Sequence, residues 1–323
     1  MRICVIRGGG IGDFVVTLPA MAMLRRHWPA AHIEVLGYPR IAELAVAAGI
    51  ADSVTSLDRA EFARFFGLRP TLTETQRDFV RSFDLIVSYL YDPDAVLRTN
   101  LAEAGARHVV YGNPQLETAH AVDHFIGVLA QLALYPDAPR DACPRIRLTD
   151  RHLLNGRRIL KEHGIRHHWI AIHPGSGSPK KNWPIERFLR IAGALHERTG
   201  LPVGFLLGEA DATAGTALAD STGVFPVLSG LSLVDVAAVF SACALYLGND
   251  SGITHIAAAC GRPVLALFGP TRASQWAPRG ETVTVLAPPG TARDMAAISE
   301  DRVLSAAQRI LPEHRGRKPP PLS

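Results

Sequence analysis

Short apolar runs alternate with amphipathic segments along the whole of this chain, and few folds accept that order. Residues 2–6, 169–173 and 203–207 are typical of the apolar runs, and residues 13–28 and 184–198 carry apolar side chains at helical spacing. Strands separated by helices pair in parallel, because each crossover helix returns the chain to the same end of the sheet. The sequence therefore predicts an α/β protein with parallel sheets.

A proline-rich stretch divides this pattern into two similar parts. Three prolines fall within residues 135–144, and the alternation of strand and helix restarts after them. With 323 residues, of which 47% are hydrophobic, the chain can bury two cores of about 150 residues each. We expect two Rossmann-like domains at residues 1–140 and 141–311, and a disordered tail at 312–323. Ligands bind beyond the carboxyl ends of parallel strands, so we expect the site in a cleft between the domains.

Composition excludes several classes of protein. The formal net charge is +4 and the basic residues are scattered, which is not typical of a nucleic-acid binder. The four cysteines show no paired spacing, so free thiols in a reducing compartment are expected. The N-terminus has no signal-peptide core, and Asp235 interrupts the most apolar long run. We expect a cytoplasmic protein that is at most peripheral to a membrane.

The stretch "GGGIGD" follows the first predicted strand and resembles a dinucleotide-binding loop. Asp13 stands where that loop requires its third glycine, and a carboxylate there would repel a phosphate. The second strand ends in Gly37 and Tyr38 and offers no acid for a ribose, so NAD is not expected. Asp13 is either a general base at the cleft floor or an ordinary acid at a helix start.

The stretch "HPGSGSPKKNWP", residues 173–184, has the composition of an anion site. Gly177 permits close backbone approach, and Ser176 and Ser178 supply hydroxyl donors. Lys180 and Lys181 are two of only four lysines in a chain with 34 basic residues. A compact ammonium can neutralise a phosphate. The glycine spacing does not fit a Walker A motif. The alternative is a solvated basic turn.

The stretch "LGNDSGITHIAAACGRPVLALFGPT", residues 247–271, predicts a strand, a capped helix and a second strand. Gly252 would leave the helix N-terminus beside Ser251 open, so that its free amides could hold a diphosphate. Asp250 would accept hydrogen bonds from sugar hydroxyls or cap the helix, and His255 would touch the ligand or pack beneath the loop. Glu209 follows another predicted strand and suits a ribose diol.

No metal or other cofactor is expected. The "DPD" stretch, residues 92–94, resembles a metal-binding pair but has the composition of a turn. The thirteen histidines show no ligand spacing typical of zinc.

Three segments together resemble glycosyltransferase family 9, the ADP-heptose:lipopolysaccharide heptosyltransferases. They are "GGGIGDFVVTLPAMAML", "HPGSGSPKKNWPIERF" and "GNDSGITHIAAACGRPVLALFGPT", and they follow one another over nearly the whole chain. The resemblance implies a GT-B fold, with the acceptor bound mainly by the first domain and the nucleotide sugar by the second. It also implies an inverting transfer that needs no metal ion.

The resemblance further implies roles for individual residues. Asp13 would be the catalytic base, with Gly10 and Gly12 in the loop that faces the acceptor. Lys181, or else Lys180, would contact phosphate. The remaining donor-site residues implied by it are Ser176, Ser178, Glu209 and Asp250.

The expected activity is transfer of a sugar, heptose in the first instance, from an ADP-linked donor to a lipopolysaccharide-core or related cell-envelope glycan. The expected partners are therefore a nucleotide sugar and a glycolipid or oligosaccharide acceptor, with peripheral contact at the cytoplasmic face of the inner membrane. Two alternatives stay open: a nucleotide-sugar epimerase or hydrolase of the same fold, and a non-catalytic nucleotide-sugar-binding module.

Overall fold

The structure is a computed structural model that describes residues 1–166, 168–208, 211, 218 and 225–311. Glu209 and the predicted tail, residues 312–323, lie outside the described residues. Within the described ranges, two separate parallel sheets are flanked by helices, as the alternating pattern predicts. The first sheet and its helices are called the N-terminal half, and the second sheet and its helices the C-terminal half.

The first sheet has the strand order β3-β2-β1-β4-β5, and every neighbouring pair is parallel. Its strands are β1 (Arg2–Arg7), β2 (His32–Gly37), β3 (Ser53–Ser56), β4 (Leu85–Ser88) and β5 (Val109–Tyr111). The helices of this half are α1 (Ile11–Val15), α2 (Leu18–His27), α3 (Pro39–Ala47), α4 (Ala60–Ala63), α5 (Glu74–Arg81), α6 (Val96–Glu103) and α7 (Ala121–Gly127).

The second sheet has the order β11-β10-β9-β6-β7-β8 and is also parallel throughout. Its strands are β6 (Trp169–His173), β7 (Val203–Leu207), β8 (Val227–Ser229), β9 (Cys243–Asn249), β10 (Val264–Leu267) and β11 (Val283–Leu286). The described helices of this half are α8 (Asp150–Glu162), α9 (Ile185–Thr199), α10 (Leu233–Phe240), α11 (Gly252–Ala259), α12 (Ala273–Trp276) and α13 (Glu300–Ile310).

The central strands are apolar because helices cover both faces of each sheet. All five residues of β6 are buried, and Ile3 and Val5 of β1 are fully inaccessible to solvent. Gly156 lets α8 approach α10 closely, since a Cβ atom at this position would lie 2.5 Å from the backbone oxygen of Ala238. The two sheets are thus rigid platforms for the loops at their carboxyl ends.

Each sheet reverses its strand order at one point, and these two points locate the site. In the first sheet the reversal lies between β1 and β4, and in the second between β6 and β9. Ligands of open parallel sheets bind at such switch points, beyond the carboxyl ends of the strands. The loops that leave β1, β6 and β9 are three of the four in which the sequence predicts chemistry, and Glu209 follows β7 in the sequence.

Direct contacts also join the two halves beside α7. The Gln275 side-chain amide donates to the carbonyl oxygen of Glu117 at 3.0 Å, and an Arg279 guanidinium nitrogen donates to Asp123 at 2.6 Å. These contacts fix the C-terminal half against the N-terminal one outside the cleft.

The single helix predicted over residues 13–28 is wrong in detail. The chain forms α1 and α2 with a break at Thr17, whose hydroxyl donates to the carbonyl oxygen of Asp13 at 2.8 Å. Pro19 lies in the first turn of α2, where its missing N–H does no harm. The break leaves α1 as a separate short turn that carries Asp13.

The proline-rich stretch between the halves is attached to α2. Arg26 makes ion pairs at 3.2 Å with both Asp137 and Asp141, and a short 3-10 helix occupies Pro139–Ala142. The connection is therefore ordered against the N-terminal half. None of the helices in the described ranges is long and apolar enough to cross a membrane.

Candidate active site between the two sheets

A cleft of about 330 Å³ lies between the two halves, at the carboxyl ends of β6, β7, β8 and β9. This volume is at the lower end of the range for small-molecule sites. From the N-terminal half only Ile11 and Arg40 line it. The C-terminal half supplies an apolar wall and a polar floor that includes His173, Ser176, Gly177, Gly208, Asp211, Ser251 and Gly252.

Another crevice, under Phe62 and Phe65, is purely apolar. Its volume is about 20 Å³, which leaves no room for a ligand. The interhalf cleft is the candidate site because it lies at the carboxyl ends of the strands beside the reversal of strand order.

Asp13 caps α1, which is one of the two alternatives that the sequence left open; its role as a general base is still a prediction. Its Oδ2 accepts a hydrogen bond from the Gly10 N–H at 2.9 Å, which caps α1. Its Oδ1 lies 3.7 Å from an Arg7 guanidinium nitrogen, and 38% of the side chain is exposed. The hydrogen bond at Oδ2 and the Arg7 guanidinium near Oδ1 together fix the orientation of the carboxylate. Gly9, with φ 88°, makes the tight turn before the cap.

Arg7 supports Asp13 from below and was not identified from the sequence. It is buried at the end of β1, and its guanidinium donates to the carbonyl oxygens of Asp13 at 2.9 Å and Tyr89 at 3.3 Å. The group lies 4.5 Å from the centre of the Phe125 ring. Burial lowers the pKa of Arg7, and the Asp13 carboxylate opposes that shift. Its only sequence signal is a charge at the last position of an apolar strand.

The N-termini of α1 and α11 meet through two glycines. A Cβ atom at Gly252 would lie 2.4 Å from the Ile11 Cβ and 3.0 Å from the Gly12 nitrogen. Gly252 therefore permits close contact between the halves, a function additional to the open helix N-terminus predicted for it. Gly12 in turn faces the His255 ring, at 3.4 Å from a Cβ position. The contact brings the loop of Asp13 next to the loop of Ser251.

His255 packs beneath this contact and does not line the cleft. Burial lowers its pKa to about 4, although the charges of Asp250 and Asp13 act in the opposite direction. Its imidazole is neutral at pH 7 for this reason. Of the two functions that the sequence allowed, the geometry supports packing.

Lys181 and Asp250, both predicted donor-site residues, form an ion pair at 2.8 Å. The Asp250 side chain is 8% exposed, and its Oδ2 has no aligned hydrogen bond, so the ammonium is its partner among the described residues. Lys181 remains 32% exposed and keeps two further N–H donors for a ligand. Lys180 is exposed on the outside of the loop. The two lysines therefore differ in that Lys181 is partly buried in an ion pair with Asp250, whereas Lys180 is exposed.

Asn249 fixes the loop that carries Lys181. Its amide is fully buried, its oxygen accepts from the Trp183 N–H at 3.1 Å, and its nitrogen donates to the Pro174 carbonyl at 2.7 Å. One residue at the end of β9 thereby holds both ends of the loop that follows β6.

The hydroxyl of Ser176 is engaged within the same loop. It lies 2.7 Å from the Ser178 carbonyl oxygen and 2.6 Å from the Asn182 side-chain oxygen, and it accepts from the Ser178 N–H at 3.2 Å. Gly177 is open, with no atom within 4 Å of a Cβ position. The loop thus presents Gly177 to the cleft, whereas the predicted Ser176 donor stabilises the loop itself.

A buried pair at the cleft floor, His173 and Asp211, was not identified from the sequence. The His173 Nε2 lies 3.1 Å from the Asp211 Oδ2, and its Nδ1 lies 3.3 Å from the Ser251 Oγ. Asp211 also accepts from the Gly208 N–H at 2.7 Å. Burial raises the pKa of Asp211, but the bonds from His173 and Gly208 outweigh it and the net shift is downward. Gly175 makes room for this carboxylate, because a Cβ there would lie 1.6 Å from its Oδ1.

The "DPD" stretch forms a helix cap. The two oxygens of Asp92 accept from the N–H groups of Leu97 and Arg98, each at 3.0 Å, at the start of α6. Among the described residues, no three His, Cys, Asp or Glu side chains gather as metal ligands would.

Comparisons of the sequence and of the structure with known proteins find the same family. The profile of glycosyltransferase family 9 (heptosyltransferase) matches residues 106–297. Lipopolysaccharide heptosyltransferase 3 of Escherichia coli K12 is 22% identical over 298 residues, which cover 84% of this chain and 83% of the relative. The profile match begins after Asp13, so the role of that residue is still a prediction.

Solved structures have the same fold. A glycosyl transferase family 9 protein from Veillonella parvula superposes with a TM-score of 0.79 at 22% identity, covering 96% of this chain and 97% of that one. The E. coli ADP-heptose lipopolysaccharide heptosyltransferase II superposes with a TM-score of 0.77 at 19% identity, covering 96% and 98%. Two parallel sheets facing a shared cleft are the GT-B arrangement expected from the sequence.

Proposed function

This chain belongs to glycosyltransferase family 9, the heptosyltransferase family, and is a glycosyltransferase; on that premise we propose that it moves heptose from an ADP-linked donor to a lipopolysaccharide-core or related envelope glycan. The transfer inverts the anomeric centre, and Asp13 is the general base. The observation that carries this proposal is the contact of Gly12 with Gly252, which brings the loop of Asp13 next to the loop of Ser251.

The polar floor of the cleft suits the diphosphate of a nucleotide sugar. The Lys181 ammonium is oriented by Asp250, and the first N–H groups of α11 have no intrahelical acceptor. Together they offer positive charge and amide donors to an anion at the start of an eight-residue helix. The apolar wall, including Leu206, Leu228 and Val236, suits the faces of a nucleobase.

The same groups can stabilise the leaving nucleoside diphosphate. Inversion by direct displacement needs one base for the acceptor hydroxyl and stabilisation of the group that departs on the opposite side. The partly exposed carboxylate of Asp13 accepts the proton, while Lys181 and the α11 amides receive the charge that develops on the diphosphate. Positive charge from the chain itself performs the electrostatic task in this scheme, and no metal or cofactor is invoked.

Replacement of Asp13 by Asn tests the base. The Asn side-chain oxygen can still cap Gly10, so the loop should keep its shape, whereas proton acceptance is lost. We expect transfer from ADP-heptose to a truncated lipopolysaccharide to fall by about 10²- to 10⁴-fold, with ADP affinity nearly unchanged. Asp58→Asn, at an exposed position, is the matched control. Full turnover by Asp13→Asn would remove Asp13 from the reaction, and ADP release without glycan product would favour a hydrolase.

We further propose that the turn after α4 rests on the membrane that carries the glycolipid acceptor. Leu68 is 85% exposed and Phe66 47% exposed, between the exposed arginines Arg64 and Arg69. The buried amide of Asn100 holds this turn by donating to the carbonyl oxygens of residues 65 and 67. Apolar side chains flanked by arginine are the composition that binds anionic bilayer surfaces.

Vesicle flotation tests this contact. We expect the whole chain to bind vesicles that contain phosphatidylglycerol more strongly than phosphatidylcholine vesicles. The double variant Phe66→Ser/Leu68→Ser should reduce the partition coefficient by about tenfold, given partial burial of two large apolar side chains. Leu154→Ser, on α8 and 62% exposed in the native chain, is the control. Equal binding of both variants would refute the proposed contact.

A further inference from the structure

His173 and Asp211 form a buried pair beside the proposed diphosphate site. Both side chains are at least nine-tenths buried, yet both line the cleft. His173 also contacts Ser251, the residue that precedes α11. The chain Asp211, His173, Ser251 therefore links a fixed negative charge to the hydroxyl nearest the expected phosphate groups.

The hydrogen atoms of this chain can be assigned by elimination. An ionised Asp211 only accepts, and its lowered pKa keeps it ionised at neutral pH, so the His173 Nε2 carries a hydrogen. The Ser251 oxygen accepts from the Thr254 N–H at 3.4 Å. It also lies 3.1 Å from the Thr254 Oγ1, which donates its own hydrogen to the Asn249 carbonyl oxygen and is therefore a second acceptor for the Ser251 hydroxyl hydrogen. What can vary is the protonation of the His173 Nδ1. This nitrogen accepts the Ser251 hydroxyl hydrogen when the ring is neutral, and it donates to the Ser251 oxygen when the ring is protonated.

The two states differ in what Ser251 offers a ligand. With a neutral ring, the hydroxyl hydrogen is drawn to the imidazole and the oxygen lone pairs face the cleft. With a protonated ring, the hydrogen is released and can point at a phosphate oxygen. The charge changes in the same sense, because the pair carries one negative charge when His173 is neutral and none when it is protonated. A diphosphate in the cleft favours the second state on both grounds.

The other groups that face the pair do not take over this proton. Burial raises the pKa of the Tyr246 hydroxyl of β9, which stays neutral, and burial lowers the pKa of His255 of α11 to about 4. Lys181 and Asp250 neutralise each other as an ion pair. Arg40 of α3 lines the same cleft and keeps its charge throughout.

We propose that His173, held by Asp211, is a proton-linked positioning residue: binding of a diphosphate ester brings a proton from solvent onto the His173 Nδ1 and turns the Ser251 hydroxyl hydrogen toward the ligand. This inference rests on the proposed donor site and goes beyond it. It makes donor affinity depend on pH through a residue that need not touch the sugar.

Calorimetric titration with ADP-glucose measures the proton directly. Both phosphoryl groups of this probe are esterified, so its own charge is constant near neutral pH. Titrations of the whole chain in HEPES and in Tris, whose ionisation enthalpies differ, should reveal uptake of up to one proton per bound ligand. Affinity should weaken by about fivefold or more between about pH 6.5 and about pH 8.5, because each added proton bound is worth up to tenfold per pH unit.

Variants locate the proton on His173. His173→Gln can still donate to Asp211 but cannot be protonated, so it should lose both the proton uptake and the pH dependence, and should match the wild-type affinity at high pH. Asp211→Asn should lower the uptake as a second, independent variant. His108→Gln, at an exposed site on the N-terminal half, should leave both unchanged. Ser251→Ala should remove most of the effect of His173→Gln in a double-mutant cycle.

The outcomes separate this inference from the proposed function. Binding of ADP-glucose without proton uptake, or uptake that persists in His173→Gln, would overturn the role of His173 and leave the donor site intact. Failure of both ADP-glucose and ADP to bind would overturn the donor site, and the inference with it. If His173 had a structural role alone, His173→Gln would bind ADP-glucose more weakly than the wild type at every pH. The comparison at high pH tests this, because the proposal expects equal affinities there.

Discussion

Replacement of Lys181 by Met should weaken both the fold and nucleotide binding, and the two effects can be separated. The methionine keeps the apolar stem but removes the ammonium, which leaves the buried Asp250 carboxylate with no partner among the described residues. Breaking a fully buried pair in this way costs about 3–5 kcal/mol, and breaking an exposed pair costs about 0–1 kcal/mol. Lys181 is one-third exposed, so we expect a loss of about 1–2 kcal/mol.

Binding should respond more strongly than stability. Loss of a charged hydrogen bond to a diphosphate corresponds to about 1.5–3 kcal/mol, or about 10- to 100-fold in the dissociation constant of ADP. The double variant Lys181→Met/Asp250→Asn removes the unpaired charge, so it should regain most of the stability but none of the affinity. Lys180→Met, one residue away on the exposed side of the loop, should change neither quantity.

Thermal unfolding and calorimetric titration with ADP are the two assays. The midpoint of Lys181→Met should fall by about 2–6 °C, and that of the double variant should lie close to wild type. Wild-type ADP affinity in the double variant would refute the assignment of Lys181 to the diphosphate. An unchanged midpoint in Lys181→Met would show that Asp250 needs no partner.

Two further predictions concern the contact between the halves. Gly252→Ala places a methyl group against Ile11 and should destabilise the protein by about 1–3 kcal/mol in urea unfolding. The control Gly193→Ala, in the open middle of α9, should stabilise the protein by about 0.5–1 kcal/mol. An equal change in the free energy of unfolding for both variants would contradict the close contact at Gly252. The unfolded chain protonates His255 near its ordinary pKa of about 6.5, and the folded chain only near pH 4. Stability should therefore fall as the pH is lowered from about 6.5 and level off below about 4, by about 3 kcal/mol in total. His255→Gln should flatten that part of the profile measured by urea unfolding at several pH values, and an unaltered slope would assign it to other groups.

The central elements of the fold could be predicted from sequence because their signal is local and continuous. The buried runs Trp169–His173 and Val203–Leu207 have the predicted bounds. Three short strands, Ser53–Ser56, Val109–Tyr111 and Val227–Ser229, gave no usable signal. They have three or four residues each, too few for a pattern to stand out, and partly exposed positions weaken it further.

The site was predictable to the level of loops but not of contacts. Gly-rich and charged loops at strand ends could be placed in one cleft because parallel strands end at the same edge. The bond between His173 and Asp211 joins residues 38 positions apart, and no spacing rule identifies such a pair. Arg7 was missed for a related reason, since its partners are carbonyl oxygens that the sequence does not distinguish.

The Asn249 amide affects how tightly a donor can bind. By holding residues 174 and 183 together, it orders the intervening segment before any ligand arrives. The conformational entropy of that segment is lost during folding, so nucleotide binding does not have to overcome it again. The recognition surface is thus preorganised, and a chain without this amide would bind every nucleotide more weakly, whatever its base or sugar.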